Sequence, residues 1–179
     1  MNDNQNYVRS FFQHLHTVNQ HRFLVCKLCF KLGLYYQGLT HDLSKYSPSE
    51  FWLGVMYFQG NRSPIDAERK DRGLSTAWLH HKGRNRHHWQ YWIDQKDGKL
   101  IVQEMPMKYI KEMLCDRIAA CMVYQKDKYH QSSGLEFMDK SHEQYLMPEK
   151  TRAILREMLV IVAENDLDKA MEIIKAKYK

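Results

Sequence analysis

Apolar residues recur along residues 6 to 36 at steps of three, four and seven, with Phe11, Val18, Val25, Leu28 and Leu32 in one stripe. That period predicts a long amphipathic helix, ended by Gly33 and Gly38. After "THDLSKY", the string "SPSEFWLGVMYFQ" predicts a second helix, with Ser47 as cap, Pro48 in the first turn and Glu50 completing a capping box. Residues 61 to 73 are polar and charged and read as a loop, whereas "STAWLHHK" predicts a third helix stopped by Gly83 and Asn85. "DQKDGK" marks a turn, a small hairpin tip at most, with "KLIV" following. "MPMKYIKEMLCDRIAACMVYQKD", opened near Pro106, "MPEKTRAILREMLVIVAEN" and "DLDKAMEIIKAKYK" predict three more helices. The pattern is therefore all-α, with about six helices, no convincing sheet, no repeat and no linker. One compact domain over residues 1–179 is expected, with the C-terminal helices of 148–179 packing on what precedes them.

Composition narrows this reading. A chain of 179 residues can bury a core without disulfide help. A net charge of +6 favours an anionic partner such as phosphate, nucleotide or nucleic acid. Cys26, Cys29, Cys115 and Cys121 lie inside apolar helical patterns, and the Cys26/Cys29 pair lacks the second pair a zinc site needs, so all four read as core. The opening "MNDNQNYVRS" lacks the order of a signal peptide, and no apolar run approaches the roughly 18 residues of a membrane span. A reduced, cytoplasmic protein without membrane contact is expected.

The chemistry gathers in a few places. His14 and His21 interrupt the apolar stripe of the first helix, and His16 lies on a more polar side. His41 and Asp42 stand side by side just before a helix start. Asp116 shares a face with Tyr109, Met113, Ala119, Ala120 and Val123, where an unpaired carboxylate would be costly, so a cation or strong donor must offset it. "WLHHKGRNRHHWQYW" carries His80, His81, His87 and His88 around Lys82, Arg84 and Arg86. Because neighbours on a helix diverge, one member of each histidine pair is expected to face a given centre. With His21, His41, Asp42 and Asp116 these would form a mixed imidazole and carboxylate set, suited to one or two ions of zinc, manganese, iron or cobalt. Histidines and tryptophans stacked as an aromatic surface are the structural alternative.

The order H…HD…H…H…D on successive helices resembles the HD-domain superfamily of metal-dependent phosphohydrolases. More closely, "HRFLV", "GLTHDLSKYSPSEF", "WLHHKGRNRHHWQYW" and "MPMKYIKEMLCD" look like an uncharacterised bacterial and phage family within or near it, over residues 14 to 128. The resemblance puts the first ligand on His21, the dyad on His41 and Asp42, and the closing aspartate on Asp116, with the remaining ligands among His80, His81, His87 and His88. His21 stands twenty residues before His41, closer than in many members, which leaves His14 and His16 as competitors. The resemblance implies a phosphohydrolase acting on a phosphomonoester or phosphodiester, most naturally of a nucleotide, through metal-activated water. Asp42 would orient that water, and Lys45, Lys82, Arg84 and Arg86 would neutralise phosphate charge. The same ligand order serves di-iron oxygenases, and a basic nucleic-acid or nucleotide binding module without catalysis is the rival of another class. Oligomeric state is left open.

Overall fold

The computed structural model describes residues 6–141 and 146–179. The first five residues of the opening stretch, read above for a targeting signal, lie outside them. Helix α1 spans Tyr7–Lys31; Asn6 caps it by accepting the Arg9 backbone N–H at 3.1 Å. Ser10, His14, Val18, His21, Val25 and Leu28 are its buried face, so the apolar stripe and both striped histidines turn inward together. Gly33, at φ +75°, ends the helix earlier than the periodicity implied, and Tyr35–Thr40 form a separate short helix α2.

A 3₁₀ turn, Leu43–Tyr46, leads into α3, Pro48–Met56. Residues 61–73 are not the expected loop, because Pro64–Arg72 form α4, with Pro64 in its first turn and Gly73 at φ +77° closing it. Its charge masked its helicity: only Ala67 and Glu68 are buried, too few for a visible stripe. Helix α5, Thr76–Lys82, stops at Gly83 as expected. A short antiparallel hairpin follows, β1 Ile93–Lys96 paired with β2 Lys99–Val102. The small hairpin anticipated at "DQKDGK" with "KLIV" is this two-stranded ribbon, turning on Asp97 and Gly98, both at positive φ. Then come α6 Met107–Gln125, α7 Ser133–Lys140, α8 Glu149–Glu164 and α9 Leu167–Lys177. The described residues hold nine α-helices, more than the six expected, with α2, α4 and α7 the additions.

Helix α6 is the axis. Residues on most of its circumference are buried, from Ile110 through Ala119, as for a helix surrounded by others. Its Ile110, Met113, Leu114, Cys115, Ile118 and Ala119 join Val25, Leu28 and Cys29 of α1, Leu155, Met158 and Leu159 of α8 and Met171 and Ile174 of α9 in one apolar core. The thiols of Cys29 and Cys115 are buried and free within it. Glu112 and Asp116 lie between these core positions in sequence, so the same stretch of α6 serves both core and site. Helices α1 and α3 cross closely: a Cβ on Gly54 would lie 2.1 Å from Nε2 of His14. Among the described residues no helix is long and apolar enough to cross a membrane.

Candidate metal centre

Five segments deliver imidazoles and carboxylates to one interior place. Helix α1 contributes His21 from its buried face. Helix α2 ends when His41 leaves helical geometry (φ −50°, ψ 127°), and Asp42 follows in the left-handed region (φ 52°, ψ 28°). Aspartate tolerates that conformation better than most residues, and such unusual backbone concentrates at functional sites. Arg22 pins the turn from behind, donating from Nε to the His41 carbonyl at 2.7 Å and from Nη2 to the Leu39 carbonyl at 3.1 Å. Helix α5 supplies His81. The turn beyond Gly83 supplies His87 and His88, and Asn85 ties it down by donating to the His81 carbonyl and to Ser44 Oγ, each at 2.8 Å. Helix α6 supplies Glu112 and Asp116, one turn apart on one face.

Asp42 is 1% exposed and lies between two groups of ligand atoms. Its Oδ2 is 3.3 Å from His41 Nε2 and 3.8 Å from His21 Nε2, and Asp116 Oδ1 is 3.0 Å from His21 Nε2 and 3.5 Å from His41 Nε2. Its Oδ1 is 3.4 Å from His81 Nε2 and 3.5 Å from His87 Nε2, with His88 completing that second group. Bonds of about 2.0–2.2 Å to a common ion place its ligand atoms about 3 to 3.5 Å apart, which matches these distances except the 3.8 Å from Asp42 to His21. Both Asp42 oxygens and Nε2 of His21, His41, His87 and His88 are buried without an aligned hydrogen-bond partner. Buried polar atoms are rarely left so. Atoms that approach one another closely without directing protons at each other are arranged as ligands are.

Two further carboxylates stand behind the imidazoles. Glu112 Oε1 accepts from Nδ1 of His41 at 2.9 Å and lies 3.1 Å from Nδ1 of His87. Glu50 Oε2 lies 2.7 Å from Nδ1 of His81. A carboxylate at Nδ1 fixes the tautomer and leaves the Nε2 lone pair facing inward, the usual support for a metal-binding histidine. Burial opposes charge on Asp42, yet His41, Lys45 and His81 hold its carboxyl well below the usual range; His21 and His41 do the same for Asp116. Burial and the neighbouring Lys45 keep the His21 ring low in proton affinity, and burial with His87 and His81 pushes His88 lower still. His41 is the opposite case: burial disfavours its cation, but Asp42, Asp116 and Glu112 raise it well above the ordinary value. The ionised carboxylates and the low proton affinity of His21 and His88 suit a divalent transition ion, whose charge would displace the proton His41 otherwise attracts.

The centre opens into a cavity of about 420 Å³, lined also by Lys45, Arg62, Arg69, Trp78, Arg117 and Tyr124. Lys45 Nζ is 2.7 Å from Asp42 Oδ2. The sequence profile of a family of unknown function (DUF5662) matches residues 10–161, which includes every element of this centre. The chain belongs to that family. No curated protein and no solved structure matches it.

In this DUF5662 member the structure brings together His21, His41, Asp42 and Asp116, and joins His81, His87 and His88 to them through Asp42. Of the pair 80/81 only His81 is placed among these clusters, whereas His87 and His88 both are. His80 turns away, with Nδ1 2.5 Å from Glu50 Oε1, outside the clusters. His87 and His88 lie in a turn, not a helix, and their ring centroids are 4.2 Å apart, so helical divergence does not separate them. Of the competitors, His14 is buried against Phe51 and Phe58 beside the cavity, and His16 is exposed on another flank. Lys45 stands at the centre, but Lys82, Arg84 and Arg86 do not line its cavity. Arg84 turns to the His80 carbonyl and Arg86 to the Tyr109 hydroxyl, because the turn that carries them folds its histidines inward and its cations out.

Glu112 and Glu50 were missed. Glu112 was legible as the residue one turn before Asp116. Glu50 was assigned to a capping box, yet Ser47 makes no side-chain cap bond and Glu50 spends both oxygens on histidines.

Proposed function

We propose that the chain is a metal-dependent phosphohydrolase of HD-domain type that cleaves phosphate esters at a pair of divalent transition ions. One observation carries the reading: the buried Asp42 carboxylate directs one oxygen at each of two imidazole-rich groups, as a bridging ligand does. His21, His41 and Asp116 would hold one ion with it, and His81, His87 and His88 the other. Ions bound there supply Lewis acidity and lower the pKa of water, which provides a nucleophile near neutral pH.

The chain's own groups account for the rest. Water adds to phosphorus, the P–O bond to the leaving alcohol breaks, and that oxygen takes up a proton. Asp42 is placed to orient the water. Lys45, beside Asp42, is placed to meet the charge that grows on the phosphoryl oxygens. Arg62, Arg69 and Arg117 add cations to a cavity wall that also carries Asp66 and Glu68, and Arg69 is paired with Asp66 at 3.2 Å. Trp78, whose ring also carries Arg69 at 5.1 Å, offers a face for a nucleobase. The test is hydrolysis of bis(p-nitrophenyl) phosphate and a nucleotide panel with manganese or cobalt. Phosphoester cleavage lost in Asp42→Asn supports the reading; a mixed-valent iron signal with no esterase activity contradicts it.

A further inference from the structure

A second, larger cavity, of about 1560 Å³, runs along the N-terminal half of α1, past the end of α3 and over α4 to the end of α6. It shares Thr17, Arg62 and Tyr124 with the walls of the metal-centre cavity, so the two adjoin. Arg9, Arg62, Lys70 and Lys126 line it. Asp71 is the only acid among the described lining residues, and its Oδ2 accepts from the Tyr57 hydroxyl at 2.7 Å. Phe12, Tyr57 and Phe58 present rings between these cations, and Phe12 is 64% exposed. His16, whose place on the polar side of α1 set it apart from the ligands, opens here.

We infer that this groove binds a single strand of nucleic acid and leads it to the metal centre. The inference rests on the phosphohydrolase reading and names its substrate class: a polynucleotide phosphodiester instead of a free nucleotide. Size argues for it. Pockets for one small ligand measure roughly 300–1,000 Å³, which the inner cavity of about 420 Å³ satisfies alone, while the outer one of about 1560 Å³ exceeds it. Chemistry argues likewise, since cations that follow a backbone and rings that stack bases are what a sequence-tolerant single-strand groove requires. A double helix would need a broad convex or groove-filling surface, and the cations here line a recess.

The experiment uses the full chain and fluorescent oligo(dT) and oligo(U) of about twelve nucleotides, within the site sizes such grooves cover. Anisotropy should show either oligomer binding at least tenfold more tightly than its mononucleotide, with a log–log salt slope near −3 if about four phosphates are met. The double variant Arg9→Ala/Lys70→Ala, both exposed positions outside the metal centre, should lower that slope by about 1.4 and slow oligomer cleavage. Its hydrolysis of bis(p-nitrophenyl) phosphate should be unchanged. Equal affinity for oligomer and mononucleotide, or an unaltered slope in the variant, overturns the inference. Hydrolysis of the small diester without strand binding removes the groove alone; strand binding without any diester hydrolysis removes the phosphohydrolase reading and leaves the groove. Comparing the two oligomers distinguishes DNA from RNA.

Discussion

Asp42 illustrates how much one position carries. Its left-handed backbone turns a helix end into a platform, and both of its oxygens are committed to opposite groups of imidazoles. Lys45 balances part of that charge at 2.7 Å. Lys45→Met should therefore retain or tighten metal binding, since a cation is removed from the ions' surroundings, while turnover falls by about 10²–10³ as with other lost transition-state donors. Loss of metal in that variant would mean Lys45 is structural. Glu112→Gln keeps shape but weakens the acceptor behind His41 and His87; metal affinity should drop about 10–100-fold with the fold intact. His14 offers a pH test away from the ligands. Burial, with Lys45 adding, pushes its pKa down to about 4 from 6.5. The folded ring stays neutral where the unfolded chain takes up a proton, so its contribution is full above about pH 6.5 and is lost as pH falls toward 4. Thermal melts of metal-free protein should show a shallower loss of stability between pH 6.5 and 5 in His14→Gln than in the parent; equal slopes would contradict this.

Helix crossings set which of these side chains can meet. The α1–α3 approach depends on Gly54, because a methyl there would overlap the His14 ring. Gly54→Ala should destabilise the protein by about 1–3 kcal/mol, as overpacking does, and His14→Ala should recover most of that loss in the double variant, measured by urea denaturation. Additive losses would show that the two positions do not clash. The long helices were legible in sequence because α1, α6, α8 and α9 each extend over enough turns for a period to show. Helix α4 was not, since charge dominates its sequence and only Ala67 and Glu68 are buried. The ligands were legible as residue types: His21 and Asp116 declared themselves by sitting on apolar faces. What patterning cannot show is direction outside regular helix. The turn at 83–88 sends His87 and His88 inward together and Arg84 and Arg86 outward, which helical reasoning about neighbours inverts. Glu50 was hidden by a local motif that fitted its spacing, while the fold uses it 31 residues away in sequence on His81.

Taken whole, the molecule is an apolar helical core into which α6 and the C-terminal half of α1 pack, beside a polar interior lined by other positions of α1 and α6 with α3, α4 and α5. The core supplies the anchorage for a cluster of buried imidazoles and carboxylates that would be unfavourable without a positive charge to organise them. Acid should empty such a centre, because its imidazoles bind ions only when neutral; metal content measured after equilibration from pH 8 down to pH 5 should fall steeply, and a flat profile would argue against imidazole ligation. The most direct test of the bridged centre is the number of ions per chain, found by elemental analysis after manganese loading and gel filtration. Two ions per parent chain and less than one in Asp42→Ala is the expected result. No metal in the parent, or two ions retained in Asp42→Ala, would contradict the bridge on which the account stands.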